Sequence, residues 1–394
     1  MHNALHRYKL LPLFPAVTLS LAGTIILLVV MGACRQSYNP PAIQASNNYL
    51  VVDGFINTGR FALTTFNLNR TRSLNDSTTI GIPELHAQFS IIGKHGDVYP
   101  LTDTGNTGFY SSGPLNLDTT QQYSIRITTA DGRKYSSDAV PCKQSPPIDS
   151  IFWSQPGDLT IYAATHDPTG NSRYYRYDYA ETWQHNALLI AAWTLVNNQV
   201  AVADSSDENW YCWSSANSTN VLITTSIALG QDVITAFPLI TLPLGDPRVA
   251  VEYSILVRQY VLTPDAYDYW NLIEKTSQSV GTLFDLQPTQ LLGNIHCITN
   301  PSEPVIGYLS ASSVTQQRIF IADTVLTAWV NPISLPGCRT STFPYSFDFF
   351  PTYPVSDTSI APYYFSGGTM ILAPKFCLDC RYQGGTRIKP SFWH

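Results

Sequence analysis

Cysteine and histidine carry the most reactive side chains in this sequence, and their spacing sorts them before any fold is considered. Cys34 closes a leader that is basic and then apolar. His2, His6, Arg7 and Lys9 come first, an apolar run from Leu10 to Met31 follows, and Met31-Gly32-Ala33 stands directly before the cysteine. Small residues ahead of a cysteine at the end of an apolar segment are what lipoprotein signal peptidase requires. Residues 1–33 therefore read as a signal peptide and Cys34 as the lipidation site. Acyl chains on that cysteine would anchor it firmly, each buried methylene adding about 0.8 kcal/mol. The competing reading is an uncleaved anchor, because the run approaches the roughly 20 residues that span a bilayer. Pro12 and Pro15 interrupt its start. Both readings hold the rest of the chain at a membrane, outside the cytoplasm.

The other cysteines are Cys142, Cys212, Cys297, Cys338, Cys377 and Cys380. An even number in an exported chain points to disulfides, and all six are candidates. Cys338 with either Cys377 or Cys380 is the favoured pairing, since that bond would staple the C-terminal tail. Cys377-Leu378-Asp379-Cys380 has the spacing of half a metal site, but no second close cysteine or histidine pair accompanies it. Among His86, His95, His166, His185, His296 and His394 no two stand at metal-ligand spacing. His296 and Cys297 are adjacent, so on a strand they point to opposite faces. Asp167-Pro168-Thr169-Gly170-Asn171 lacks the alternating donors and closing glutamate of a calcium loop and reads as an Asx turn. The sequence contains no Gly-x-Ser-x-Gly elbow, Walker loop, dinucleotide fingerprint or His-Glu-x-x-His. The expectation is a non-enzyme without metal or cofactor. Its candidate binding group is Trp210, Tyr211 and Trp213, in a polar excursion from Asp204 to Asn220, together with the stapled tail.

The formal net charge of −6 supplies no basic field, which argues against nucleic acid as a partner. Charged residues make up 13% of the chain and aromatics 12%, with 23 tyrosines, a composition that suits a partner-binding surface. Large β-sheets use tyrosine in the same way.

The elements that must position these residues are mostly strands. Residues 34–48 contain Pro40 and Pro41 and read as a tether. Over 49–140, short alternating runs such as Leu85 to Ile92 and Tyr123 to Thr128 are separated by the turn sequences Lys94-His95-Gly96-Asp97 and Ala130-Asp131-Gly132-Arg133. That pattern predicts an N-terminal immunoglobulin-like β-sandwich. A linker over 141–150, rich in proline, leads into a larger β-rich domain over 151–331. There Arg173 to Tyr179 and the apolar Leu188 to Val196 read as strands, the second as a central one. Val249 to Val257 alternates before a single amphipathic helix near 264–280. Thr263 suits its N-cap, Pro264 its first position and Asp265 its first turn, and Gly281 can end it. Ala266, Tyr269, Trp270 and Ile273 share one face, expected to pack on the sheet. Residues 332–394 read as an irregular tail stapled by disulfides. The fold class is mainly β.

With these motifs in place the chain resembles a family of Bacteroidota outer-membrane lipoproteins classed as a domain of unknown function, number 4249. The residues that carry the resemblance are LVVDGFI from Leu50, ADGRKYSSD from Ala130, Tyr211-Cys212-Trp213, YSILVRQY with LTPDAYDYW, LFDLQPTQLLGNI, NPSEPVIGYLSASS, Arg318-Ile319-Phe320-Ile321 and CLDCRYQGGTRIKPSFW. The resemblance implies an outer-membrane lipoprotein whose partner is a TonB-dependent receptor, with a role as accessory or ligand capture. It offers no catalytic residues to carry over. It also implies that Cys142 and Cys297, outside the shared positions, pair with each other. Arg35 to Asn39 lacks the acidic residues that favour surface export in this group, leaving the periplasmic face and the cell surface both open. Two further readings stand beside it: a structural envelope-interaction protein with no small ligand, and a hydrolase whose site is hidden in the linear sequence.

Overall fold

A computed structural model describes residues 48–72, 81–196, 199–203, 210–278, 293–327, 338–344 and 359–394. The signal peptide, Cys34 and Gly281 lie outside the described residues. The first layers are a β-sandwich in which alternation does the sorting: Phe89 and Ile91 of Gln88–Gly93, and Tyr123, Ile125 and Ile127 of Gln122–Thr128, all point into one core. The two turn sequences close hairpins, with Gly96 and Gly132 in the left-handed conformation that such turns need. The sheet order then departs from a run of hairpins. Ala311–Ser312 inserts in parallel between Ile56–Asn57 and Val140–Lys143, and Ile295–Cys297 pairs with Lys134–Ser137. Val305, Leu309 and Ala311 thereby complete the sandwich core from far along the chain.

The second pair of sheets stacks Ile148–Ser154, Leu159–His166 and Val233–Leu242 on a five-stranded sheet. That larger sheet is ordered Tyr211–Asn217, Tyr174–Asn186, Glu252–Val261 and Thr315–Ala322, with Leu222–Thr225 beside the start of the long strand. Tyr175, Tyr177 and Tyr179 face inward with Tyr253, Ile255 and Val257. Strand periodicity of two therefore turns Arg176 and Asp178 to the other face, opposite Tyr260 and Arg258.

The helix runs Pro264–Gln278, and the Thr263 hydroxyl accepts from the Ala266 amide at 3.2 Å as its cap. Ala266 and Tyr269 are buried and Trp270 packs beside Leu262, Tyr174 and Tyr308, so the aromatic face is core as its spacing predicts. The stretch Leu188 to Val196 is corrected. Only Trp193–Val196 is a strand, in a two-stranded ribbon with Gln199–Val202, and Ile190 is 60% exposed. Its apolar character serves contacts with the tail, where Trp193 meets Phe365 edge-on. The tail itself carries a three-stranded sheet of Ser341–Pro344, Thr369–Pro374 and Ile360–Ser366, which its aperiodic sequence does not signal.

Candidate functional site

The predicted aromatic group sits on the edge strand Tyr211–Asn217, and the fold treats its members differently. The Trp210 and Tyr211 rings meet at a tilt of 44° with centres 4.1 Å apart, and Tyr211 is exposed at the surface. Cys212 points inward and bonds to Cys380, which draws the C-terminal segment over this edge. Trp213 is covered by that segment. Its amide donates to the Thr386 carbonyl at 2.8 Å, the Thr386 amide returns a bond at 2.9 Å, and its indole meets Trp393. Gly385 makes the close approach possible, since a Cβ there would lie 2.5 Å from the His185 ring. Burial in this seam lowers the His185 pKa, against a smaller raising effect of Gln383. Trp210, Tyr211 and Trp213 thus do not form one open platform.

Cys338 is joined to Cys377, within the expected pair of alternatives, and Cys212 takes Cys380. Cys142 and Cys297 are free, which corrects the pairing that the resemblance implied. Cys142 follows Pro141, opposite Gln122, whereas Cys297 pairs through Tyr135 to the Ile127 end of the same strand. At about 3.3 Å per residue the two thiols stand roughly 20 Å apart along the sheet, far beyond disulfide reach. Burial, with a smaller push from Asp118, raises the Cys142 thiol to about 11, so it stays protonated and unreactive.

Buried acids are committed to holding strands together. Glu303 accepts from Tyr135 at 2.7 Å and from Arg133 at 3.1 Å, while Arg70 bridges Glu84 and the Tyr135 hydroxyl. Glu181 accepts from Tyr253 at 2.7 Å and from Arg248 at 2.9 Å. Asp232 accepts from Tyr175 at 2.9 Å and from the Arg173 amide. Asp167 makes the Asx turn, accepting from the Thr169 amide at 2.9 Å and the Ser172 hydroxyl at 2.7 Å. Burial raises its pKa, but these donors outweigh that effect and hold it at about 2. Among the described residues no three His, Cys, Asp or Glu side chains group closely enough for a metal.

One charged group departs from this pattern. Arg176 projects from the long strand into a crevice lined by Gly54, Phe55, Tyr260, Trp270, Tyr308 and Ser310. Its guanidinium carbon lies 3.8 Å above the centre of the Trp270 ring and 5.8 Å from that of Tyr260. Gly54, at φ +149°, turns the chain so that Phe55 meets Tyr260 edge-on, and a Cβ at Gly54 would collide with Phe66 at 2.5 Å. Desolvation lowers the Arg176 pKa despite the nearby Asp178 and Asp53. Sequence reasoning missed this residue. Its only signal was position, on the opposite face of a strand whose tyrosines alternate.

No curated protein matches this chain. A family model matches residues 35–318, which span the sandwich, the long strand, the helix and the returning segment. On that match, the chain belongs to the family described as Domain of unknown function (DUF4249).

Proposed function

We propose that this chain is a non-enzymatic lipoprotein of the outer membrane, anchored through Cys34, that serves as an accessory or ligand-capturing partner of a TonB-dependent receptor. The anchoring half rests on the small residues before Cys34 at the end of the leader's apolar run. The binding half rests on one observation: the buried acids Glu303, Glu181 and Asp232 are committed to strand-joining pairs, while Arg176, with no ion pair or side-chain hydrogen bond among the described residues, faces an aromatic crevice. A scaffold of this kind recognises a ligand and leaves it unchanged. Tagged full-length chain, isolated from outer membranes, should bring a TonB-dependent receptor with it. Repeated recovery of the chain alone would sink the accessory role. Replacing Cys34 by alanine should abolish palmitate labelling and release the chain from the membrane fraction.

A structural envelope-interaction role without a small ligand is the second reading, and one feature favours it. Phe61 stands 62% exposed on a sandwich loop at φ +56°, with the Arg60 guanidinium 5.1 Å above its ring. A bulky residue held in the left-handed region at a loop tip is the kind of strain that surfaces use for contact. Deleting that side chain with Phe61→Gly should relieve strain and leave folding intact while weakening capture of an envelope partner. Unchanged capture would remove this reading.

A further inference from the structure

We propose that the crevice at Arg176 is a binding site for a carboxylate group. A guanidinium offers five N–H donors, and Arg176 is half-buried at the crevice with those donors open to it. Among the described residues, Arg176 makes no ion pair and no hydrogen bond through its side chain; its contacts are the two ring faces of Trp270 and Tyr260. Its nearest carboxylates do not supply the partner. Asp178 is held by Arg258 and by the Tyr260 hydroxyl at 2.6 Å. Asp53 is exposed and acts on Arg176 only through space. A second group points the same way, because the Ser310 hydroxyl that lines this crevice is itself buried without a hydrogen-bond partner. Two unmet polar groups of complementary use, a cationic fork and a hydroxyl donor, thus converge on one space.

The size and walls of that space choose the ligand. The crevice is open at its mouth, and its inner volume is about 10 Å³, room for one water-sized group. One oxygen of a planar carboxylate fits there, with the second at the mouth, and the two match the parallel donors of a guanidinium edge. The Trp270 ring, 3.8 Å from the guanidinium carbon, holds the cation in place before a ligand arrives. Phe55 and Tyr308 flank the mouth and suit an apolar chain carried behind the carboxylate. Two sources share this chemistry: a small organic acid and the free carboxyl terminus of a short peptide.

The site stands on the fold alone, independent of any receptor, so its test uses purified full-length chain in detergent. Calorimetric titration with acetate, and with a tripeptide bearing either a free or an amidated terminus, separates the sources. Saturable binding is expected for acetate or the free-ended peptide, and for the amidated peptide none. Tighter binding of the free-ended peptide than of acetate assigns the peptide source, and equal binding assigns the small acid. Arg176→Met keeps the apolar stem and should abolish binding. Ser310→Ala, which removes only a hydroxyl without a partner, should weaken it roughly tenfold and serves if Arg176→Met does not fold. Unaltered affinity in both variants, equal binding of chloride, or no saturable binding of any probe overturns the proposal.

Discussion

Arg70, which is buried, and Arg176, which is half-buried, are both arginines on strands, and the fold treats them in opposite ways. Arg70 is 4% exposed and reaches Glu84, the Tyr135 hydroxyl and Glu303. Desolvation pulls its pKa down, but the bonds to Tyr135 and Glu84 more than reverse that, and the net shift is upward. Arg176 suffers the same desolvation without a hydrogen-bonded partner, and its net shift is downward. A buried charge with several acceptors locks strands in register. A half-buried charge with none is left open for something else to bind. The contrast separates framework from function more clearly than any motif in the sequence.

Breaking the framework side should give the largest effect. Glu303→Ala strips an acceptor shared by Arg133, Tyr135 and Arg70, and should cost about 3–5 kcal/mol in urea unfolding followed by tryptophan fluorescence. A cost under about 1 kcal/mol would mean the network is ornamental. The sharpest form of the comparison places the same substitution at both arginines. Arg70→Met orphans Glu84 and should cost about 2–3 kcal/mol, while Arg176→Met loses only ring contacts and should cost under about 1 kcal/mol. Equal costs would erase the distinction.

Smaller effects come from pH. Asp167 holds its proton less tightly folded, at about 2, than an unfolded aspartate near 3.9, so its contribution is complete above about pH 4 and disappears as pH falls through 2. Asp167→Asn should flatten that acid limb of the stability curve. His166 behaves in the opposite sense, because its bond to Asp149 raises its pKa above the usual value. Its contribution is present below about pH 6.5 and vanishes as pH rises through the folded pKa. Both partners are exposed, so His166→Gln should produce the smallest change of the set, visible only as a slight slope between neutral and alkaline midpoints.

What could be read from the sequence was local. The helix start is encoded within Thr263, Pro264 and Asp265, and the hairpins around Gly96 and Gly132 carry their own turn chemistry. Cys338 and Cys377 lie near enough in the chain for a staple to be foreseen. The Cys212–Cys380 bond, 168 residues apart, left no such trace. Apolar content misplaced Leu188 to Val196 because a ribbon against the tail needs the same side chains as a central strand. The crevice was illegible for a related reason. Gly54 and Phe55, Arg176, Trp270 and Ser310 come from four distant stretches, and only the strand register brings them to one place.

The parallel insertion of Ala311–Ser312 has a consequence in time. Ile56–Asn57 and Val140–Lys143 are made early, yet the strand that lies between them is made only after every strand of the second pair of sheets except Thr315–Ala322. Until then two strand edges and the core positions awaiting Val305, Leu309 and Ala311 remain open. Such long-range closure makes folding slow and leaves a nascent chain open to mispairing. A fragment ending at the linker should therefore stay unfolded, because the sandwich that is made first cannot close until Ala311 and Ser312 arrive.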